Sequence, residues 1–195
     1  MNLFNKQLRQ GFTLVELLVV IAVLGILATV LLVAVDPLEQ FARGRDASRK
    51  QVVAQLGHAL YAYYTTQATS TGSVFPNIVA SGADWIDAMG PSGTGDVKTI
   101  PSAVGGGAGC PAFGANDSNW SGWCYRAVPG TNPTSVIVFT PMESKTELTK
   151  CTAVTSTNTG PWYVWSSSDG RAGLVCLANL TTYPTVGTQV WNARQ

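Results

Sequence analysis

GFTLVELLVVIAVLGILATVLLVAV, residues 11–35, places one carboxylate, Glu16, inside an otherwise apolar run. From Phe12 to Val35 the run is about 24 residues, which at roughly 1.5 Å rise per residue makes about 36 Å of helix, enough to cross a hydrocarbon core. A charged side chain in that setting is costly, so an acid inside a membrane span is a functional hypothesis by default. The preceding residues, MNLFNKQLRQ, carry Lys6 and Arg9 and no acid. The positive-inside tendency therefore keeps this leader in the cytoplasm and sends the rest of the chain outward. A secretory signal peptide would have an apolar core of only about 7 to 15 residues and end in a small-residue cleavage site. A plain uncleaved anchor accounts for the length of the run but leaves Glu16 unexplained.

At these residues the chain resembles the type IV pilin and type II secretion pseudopilin superfamily, whose precursors carry a basic leader ending in Gly, then Phe-Thr-Leu-x-Glu-Leu and an apolar helix. Gly11, Phe12, Thr13, Leu14, Glu16 and Leu17 match that pattern. The likeness continues more loosely through Gly25-Ile26-Leu27-Ala28 and persists as pattern alone to near Tyr64. The resemblance implies an α+β pilin fold, in which a long N-terminal helix, hydrophobic then amphipathic, packs on a C-terminal antiparallel β-sheet. It also implies that a prepilin peptidase cuts between Gly11 and Phe12, that the new Phe12 amine is methylated, and that Glu16 faces the Phe12 ammonium of a neighbouring copy in a filament core. Such a pair has a physical logic of its own, because removing either partner strands the other charge away from water.

The partners implied are further copies of the chain, the prepilin peptidase, an inner-membrane platform protein, an assembly ATPase and, before assembly, the membrane itself. The subunit is then single-pass in the cytoplasmic membrane, N-in and C-out, and afterwards part of an extracellular fibre. The family's fibres serve adhesion, motility or DNA uptake, and the alternative within the superfamily is a pseudopilin in a short secretion piston. From a different class, a membrane-anchored binding or enzymatic domain that never polymerises would keep its leader. One departure from the family concerns the helix-kinking Pro that many members carry eight residues after the Gly matched by Gly25. Here that position is Val33, and the nearest proline is Pro37. Asp36-Pro37-Leu38-Glu39 has the order N-cap, N1, then Glu at N3, which predicts a helix restart with a capping box.

The organisation that follows is a leader over 1–11, a core helix over 12–35, an amphipathic helix over 36–66 and a head over 67–195. Within PLEQFARGRDASRKQVVAQLGHALYAYYTT, Val52, Leu56, Leu60 and Tyr63 recur at helical spacing, and Val53 and Tyr64 widen the stripe to a core face. Arg43, Arg45, Arg49 and Lys50 beside Asp46 form a basic cluster suited to lipid headgroups or neighbouring subunits, or simply a solvated face. After Gln67 the apolar runs become short and β-branched. Strands are expected over Trp123–Val128, Ser135–Thr140, Trp162–Ser166 and Arg171–Leu177, parted by Pro129–Pro133 and Ser168-Asp169-Gly170 turns, as an antiparallel meander on the helix. The sheet occupies about 121–180, and the long connection before it, about 67–120, is read as surface loop with a helical turn near Ala83–Met89.

Cys110, Cys124, Cys151 and Cys176 all follow the membrane run, on the side the charge rule places outside, and their even count suggests two disulfides. Of three connectivities, Cys110 with Cys124 and Cys151 with Cys176 is preferred, because the first closes the short loop CPAFGANDSNWSGWC. Zinc-ligand spacing is absent, and no metal or cofactor is expected. Enzyme motifs fail as well: in GPSGTGDVKT Asp96 stands where a phosphate loop needs Lys, and Lys98 is displaced. The one histidine, His58, lies on the amphipathic helix without evident partners. Asp84 with Asp87 makes at most an ordinary surface pair, and a calcium site at Ser168 and Asp169 is conceivable only by analogy with pseudopilins. The chain has 12 basic and 11 acidic residues, and loss of the leader removes Lys6 and Arg9, leaving about one net negative charge. Strong nonspecific DNA binding by one subunit is not favoured, and nucleic acid stays open as a partner of an assembled filament.

Overall fold

Leucine, valine, isoleucine and alanine fill nearly every position from Leu14 to Ala34, and these residues form helix α1. The computed structural model describes residues 11–34, 36–69, 72–77, 85–102, 110, 117–153, 159–187 and 189–192. The leader before Gly11, Asp84 and Gly105-Gly106-Gly107 lie outside the described residues. The chain divides into two compact units, residues 1–40 and 41–195. A second helix, α2 (Pro37–Thr66), starts where the Asp-Pro-Leu-Glu signal predicts, with Asp36 Oδ1 accepting from Glu39 N at 3.2 Å.

The connection beyond α2 is more structured than the sequence suggests. A small hairpin, β1 (Ala68–Thr69) with β2 (Gly72–Ser73), and a short helix, α3 (Trp85–Met89), precede a five-stranded sheet of β3 (Asp117–Trp120), β4 (Trp123–Val128), β5 (Ser135–Pro141), β6 (Gly160–Ser166) and β7 (Arg171–Leu177). The strands pair in chain order and all antiparallel. This is an α+β, pilin-like arrangement: a long apolar helix, a second helix and an antiparallel sheet. The sheet begins at Asp117, not near 121, because Asp-Ser-Asn-Trp forms an edge strand although its first three residues carry almost no strand preference. A further helix, α4 (Lys145–Thr152), interrupts the meander between β5 and β6; Ser144 caps it, its Oγ accepting from Glu147 N at 3.3 Å.

Alternate residues of β4, β5 and β6 serve two cores, which is why these strands read as nearly unbroken apolar runs. Trp123, Tyr125, Ala127, Val136, Val138 and Trp165 face the core that contains Val53, Leu56, Ala59 and Leu60 of α2. Trp85 of α3 enters the same core and stacks on Tyr125, ring centroids 4.6 Å apart. The centre of the α2 stripe is thus Val53, Leu56 and Leu60, with Val52, Tyr63 and Tyr64 at its margins. Gly57 lies directly under Trp165: a Cβ there would run into the indole ring. Mid-helix glycine costs about 1 kcal/mol relative to alanine, and here it lets helix and sheet meet. On the opposite face Cys124, Ile137, Phe139, Trp162, Val164 and Val175 are covered by the C-terminal segment through Tyr183, Val186 and Trp191. Trp191 forms a bridge with Val175, and Asn192 N donates to Leu174 O at 2.8 Å. Cys110 is bonded to Cys124 and Cys151 to Cys176, with Cα separations of 5.6 and 5.3 Å.

Part of the basic cluster of α2 is internal bracing: Arg49 is buried and Arg45 and Lys50 reach the head's acids, while Arg43 and Arg45 stay exposed. Asp46 and Arg49 are buried, and Asp46 accepts from Arg49 Nη1 at 3.0 Å, from Glu143 N at 3.1 Å and from Ser144 N at 2.9 Å. Arg49 also donates to Pro141 O at 3.1 Å and pairs with Glu143 at 3.4 Å, while Arg45 pairs with Glu143. One turn further, Lys50 and Lys150 both hold Glu147 Oε1, at 2.7 and 3.1 Å. The α2 register is thereby fixed against the β5–α4 connection by charge, where apolar packing leaves off.

Burial pushes the Glu147 carboxyl up, but hydrogen bonds and charge from Lys50 and Lys150 outweigh it and hold the group below its ordinary 4.5. A carboxyl lowered on folding contributes stability above its unfolded value, and that contribution is lost as pH falls through the lower folded value. Urea midpoints taken from roughly pH 6 to pH 3 should therefore decline, and Glu147→Gln should flatten part of the decline. An identical acid limb in the variant would refute this role for Glu147.

Candidate assembly site

Among the described residues one helix is long and apolar enough to cross a membrane, the stretch Leu14–Leu32 of α1. Its large side chains are exposed around the whole circumference, from Val20 at 48% to Leu14 at 78%. A helix apolar all round needs an apolar environment on every side, lipid or other helices. Its 21 residues, at about 1.5 Å each, make roughly 31 Å, close to the thickness of a hydrocarbon core.

The polar chemistry of this helix is concentrated at its N-terminal end. Thr13 N and Thr13 Oγ1 donate to Glu16 Oε2 at 2.9 and 2.8 Å, and Glu16 N donates back to Thr13 Oγ1 at 3.2 Å. This is a capping box: Thr13 is the N-cap and Glu16 sits at N3, so two donors that a helix start leaves unpaired are satisfied reciprocally. The signal Thr-x-x-Glu was legible in the sequence but hidden behind the question of why an acid sits in an apolar run. The carboxylate also lies at the positive end of the helix dipole. Glu16 is therefore built into the helix start with one oxygen occupied, while Oε1 has no partner among the described residues. Gly11 and Phe12 immediately precede the cap; both are exposed, Phe12 at 84%.

The other residues considered for chemistry do not converge. His58 is exposed on α2 beside a groove of about 590 Å³ lined by Val52, Leu56 and Ala59 of the helix and by Asp96, Val97 and Lys98 of the loop after α3. Asp96 is taken by the Thr94 hydroxyl. Ser168 and Asp169 form the β6–β7 turn, in which Asp169 N donates to Ser166 Oγ at 3.3 Å. Among the described residues no three His, Cys, Asp or Glu side chains gather as a metal site. In the Asn119–Trp123 segment, Trp123 is buried with Nε1 donating to Ser102 O at 3.0 Å, and Trp120 packs partly buried on the core.

Residues 6–32 match the family model of the prokaryotic N-terminal methylation motif. The match covers the leader end, Gly11, Phe12, Glu16 and nearly all of α1, and it is consistent with a subunit of the type IV pilin or pseudopilin kind. No curated protein and no solved structure matches the chain.

Proposed function

We propose that this chain is a structural subunit, stored in the cytoplasmic membrane by α1 and then polymerised through α1 into a type IV pilus that serves adhesion, motility or DNA uptake. A prepilin peptidase removes residues 1–11, and Phe12 becomes the methylated N-terminus. The platform protein and ATPase then draw the subunit from lipid into the filament, so the apolar helix passes from one water-free surrounding to another. The observation that carries this reading is the half-occupied Glu16 carboxylate at the tip of an exposed apolar helix. Thr13 orients Oε2, and Oε1 remains for the Phe12 ammonium of the next copy. Each charge then offsets the desolvation of the other, and the spacing of subunits is set by where the pair can form. The four bonded cysteines agree with a head on the oxidising side.

Intact mass and N-terminal sequencing of the chain from its native envelope test the proposal. The expected product starts at N-methyl-Phe12 and lacks residues 1–11. A chain still starting at Met1 would overturn processing and, with it, polymerisation. Imaging with an antibody to the head separates the purposes: long labelled surface fibres support the pilus, and blocked protein export without fibres moves the assignment to a secretion pseudopilin.

A further inference from the structure

Beyond β7 the chain turns through Asn179-Leu180-Thr181-Thr182, all four residues exposed. Asn179 Oδ1 accepts four hydrogen bonds there: from Thr181 N at 3.0 Å and Oγ1 at 2.6 Å, and from Thr182 N at 2.8 Å and Oγ1 at 3.0 Å. Nδ2 of the same carboxamide has no partner among the described residues. The turn is held at its base, where Thr159 Oγ1 donates to Ala178 O at 3.0 Å and Gly160 lies so close that a Cβ would collide with the Asn179 carbonyl. Asn-Leu-Thr is also the residue pattern of an N-glycan acceptor.

We propose that Asn179 is a glycosylation site, taking a sugar from a lipid-linked glycosyl pyrophosphate on the outer side of the membrane. A carboxamide nitrogen is a poor nucleophile because its lone pair is shared with the carbonyl. When Nδ2 gives up a proton, negative charge moves onto Oδ1, and four preset donors already surround that oxygen, as in an oxyanion hole. Nδ2 then attacks the anomeric carbon: the new C–N bond forms as the anomeric C–O bond breaks. The lipid pyrophosphate leaves with the bonding electrons, and the Nδ2 proton passes to a base of the transferase. Asn116-Asp117-Ser118 and Asn119-Trp120-Ser121 have the same residue pattern; Asn116 lies outside the described residues, and Asn119 lies within β3, where its Oδ1 accepts from Gly122 N at 2.9 Å and not from the Ser121 hydroxyl. In Asn132-Pro133-Thr134 the central proline excludes acceptance.

The proposal rests on the head lying outside the membrane, and one peptide map by tandem mass spectrometry separates the two ideas. It is made on the chain purified from its native envelope without reductant. The expected result is a hexose- or hexosamine-type mass on Asn179 with Cys151 and Cys176 still joined. Asn179→Gln and Thr181→Ala should remove the added mass, while Thr181→Ser, which keeps the hydroxyl, should retain it. A bare Asn179 with both disulfides intact overturns glycosylation alone; a bare Asn179 with free thiols overturns the outward topology as well. Modification at Asn116 or Asn119 instead, or undiminished modification in Thr181→Ala, overturns the role given to the four-donor turn.

Discussion

Glu16→Ala should yield a subunit that is made, inserted and cleaved at Gly11 but is absent from fibres, so that sheared-fibre fractions lose it almost completely while the membrane fraction keeps it. In lipid the substitution removes an acid from an apolar helix, which eases insertion. In the proposed filament core it would leave each neighbouring Phe12 ammonium buried without its counter-charge, and an uncompensated buried charge is strongly unfavourable. Both effects favour the membrane over the filament at the extraction step and hold the variant in the membrane. Glu16→Gln separates capping from charge. It retains an oxygen that can accept from Thr13, so a helix-start defect would be largely relieved, whereas a missing charge would not. Recovery of fibres in Glu16→Gln but not in Glu16→Ala would assign Glu16 to the capping box alone, and normal fibres from both would remove it from assembly altogether.

The second large effect lies in the head. Asp46→Ala should destabilise it by about 3–5 kcal/mol, the range for breaking one side of a buried ion pair, a large share of the roughly 5–15 kcal/mol available to a folded domain. Arg49, only 3% exposed, loses its 3.0 Å partner, and the amides of Glu143 and Ser144 lose their acceptor. Urea unfolding of the detergent-solubilised chain, followed by tryptophan fluorescence, measures this as a lower midpoint. The double variant Asp46→Leu with Arg49→Met should recover the part of the loss that comes from the stranded charge, but not the part that comes from the unpaired Glu143 and Ser144 amides. A single variant that unfolds with the parent would mean that the bracing contributes nothing.

How much of this was readable from residues alone differs by element. The membrane run, α2 and strands β4 to β7 were legible because periodicity and β-branched runs are local signals, and Asp36-Pro37-Leu38-Glu39 marked the start of α2. Helix α4 was missed although Ser144-x-x-Glu147 is a capping box, because its exposed turns carry lysine and threonine and only Glu147 and Cys151 are buried. Strand β3 owes its existence to pairing with β4, a tertiary effect that overrides weak propensity. The bracing of α2 could not be foreseen, since Asp46 and Ser144 stand 98 positions apart and nothing local marks Arg49 as buried. At the candidate site the cost of the acid was visible, and so was the Thr13-x-x-Glu16 capping pattern, but which carboxylate oxygen Thr13 occupies emerged only from geometry.

The placement of Trp191 across the outer face of the sheet bears on biogenesis. Trp191 follows every strand of the sheet along the chain, so synthesis makes Phe139, Trp162 and Val175 first, and that face stays uncovered until the segment through Trp191 is in place. Products that stop short of Trp191 would leave that greasy face open to proteases, so truncated copies should be shorter-lived than full ones.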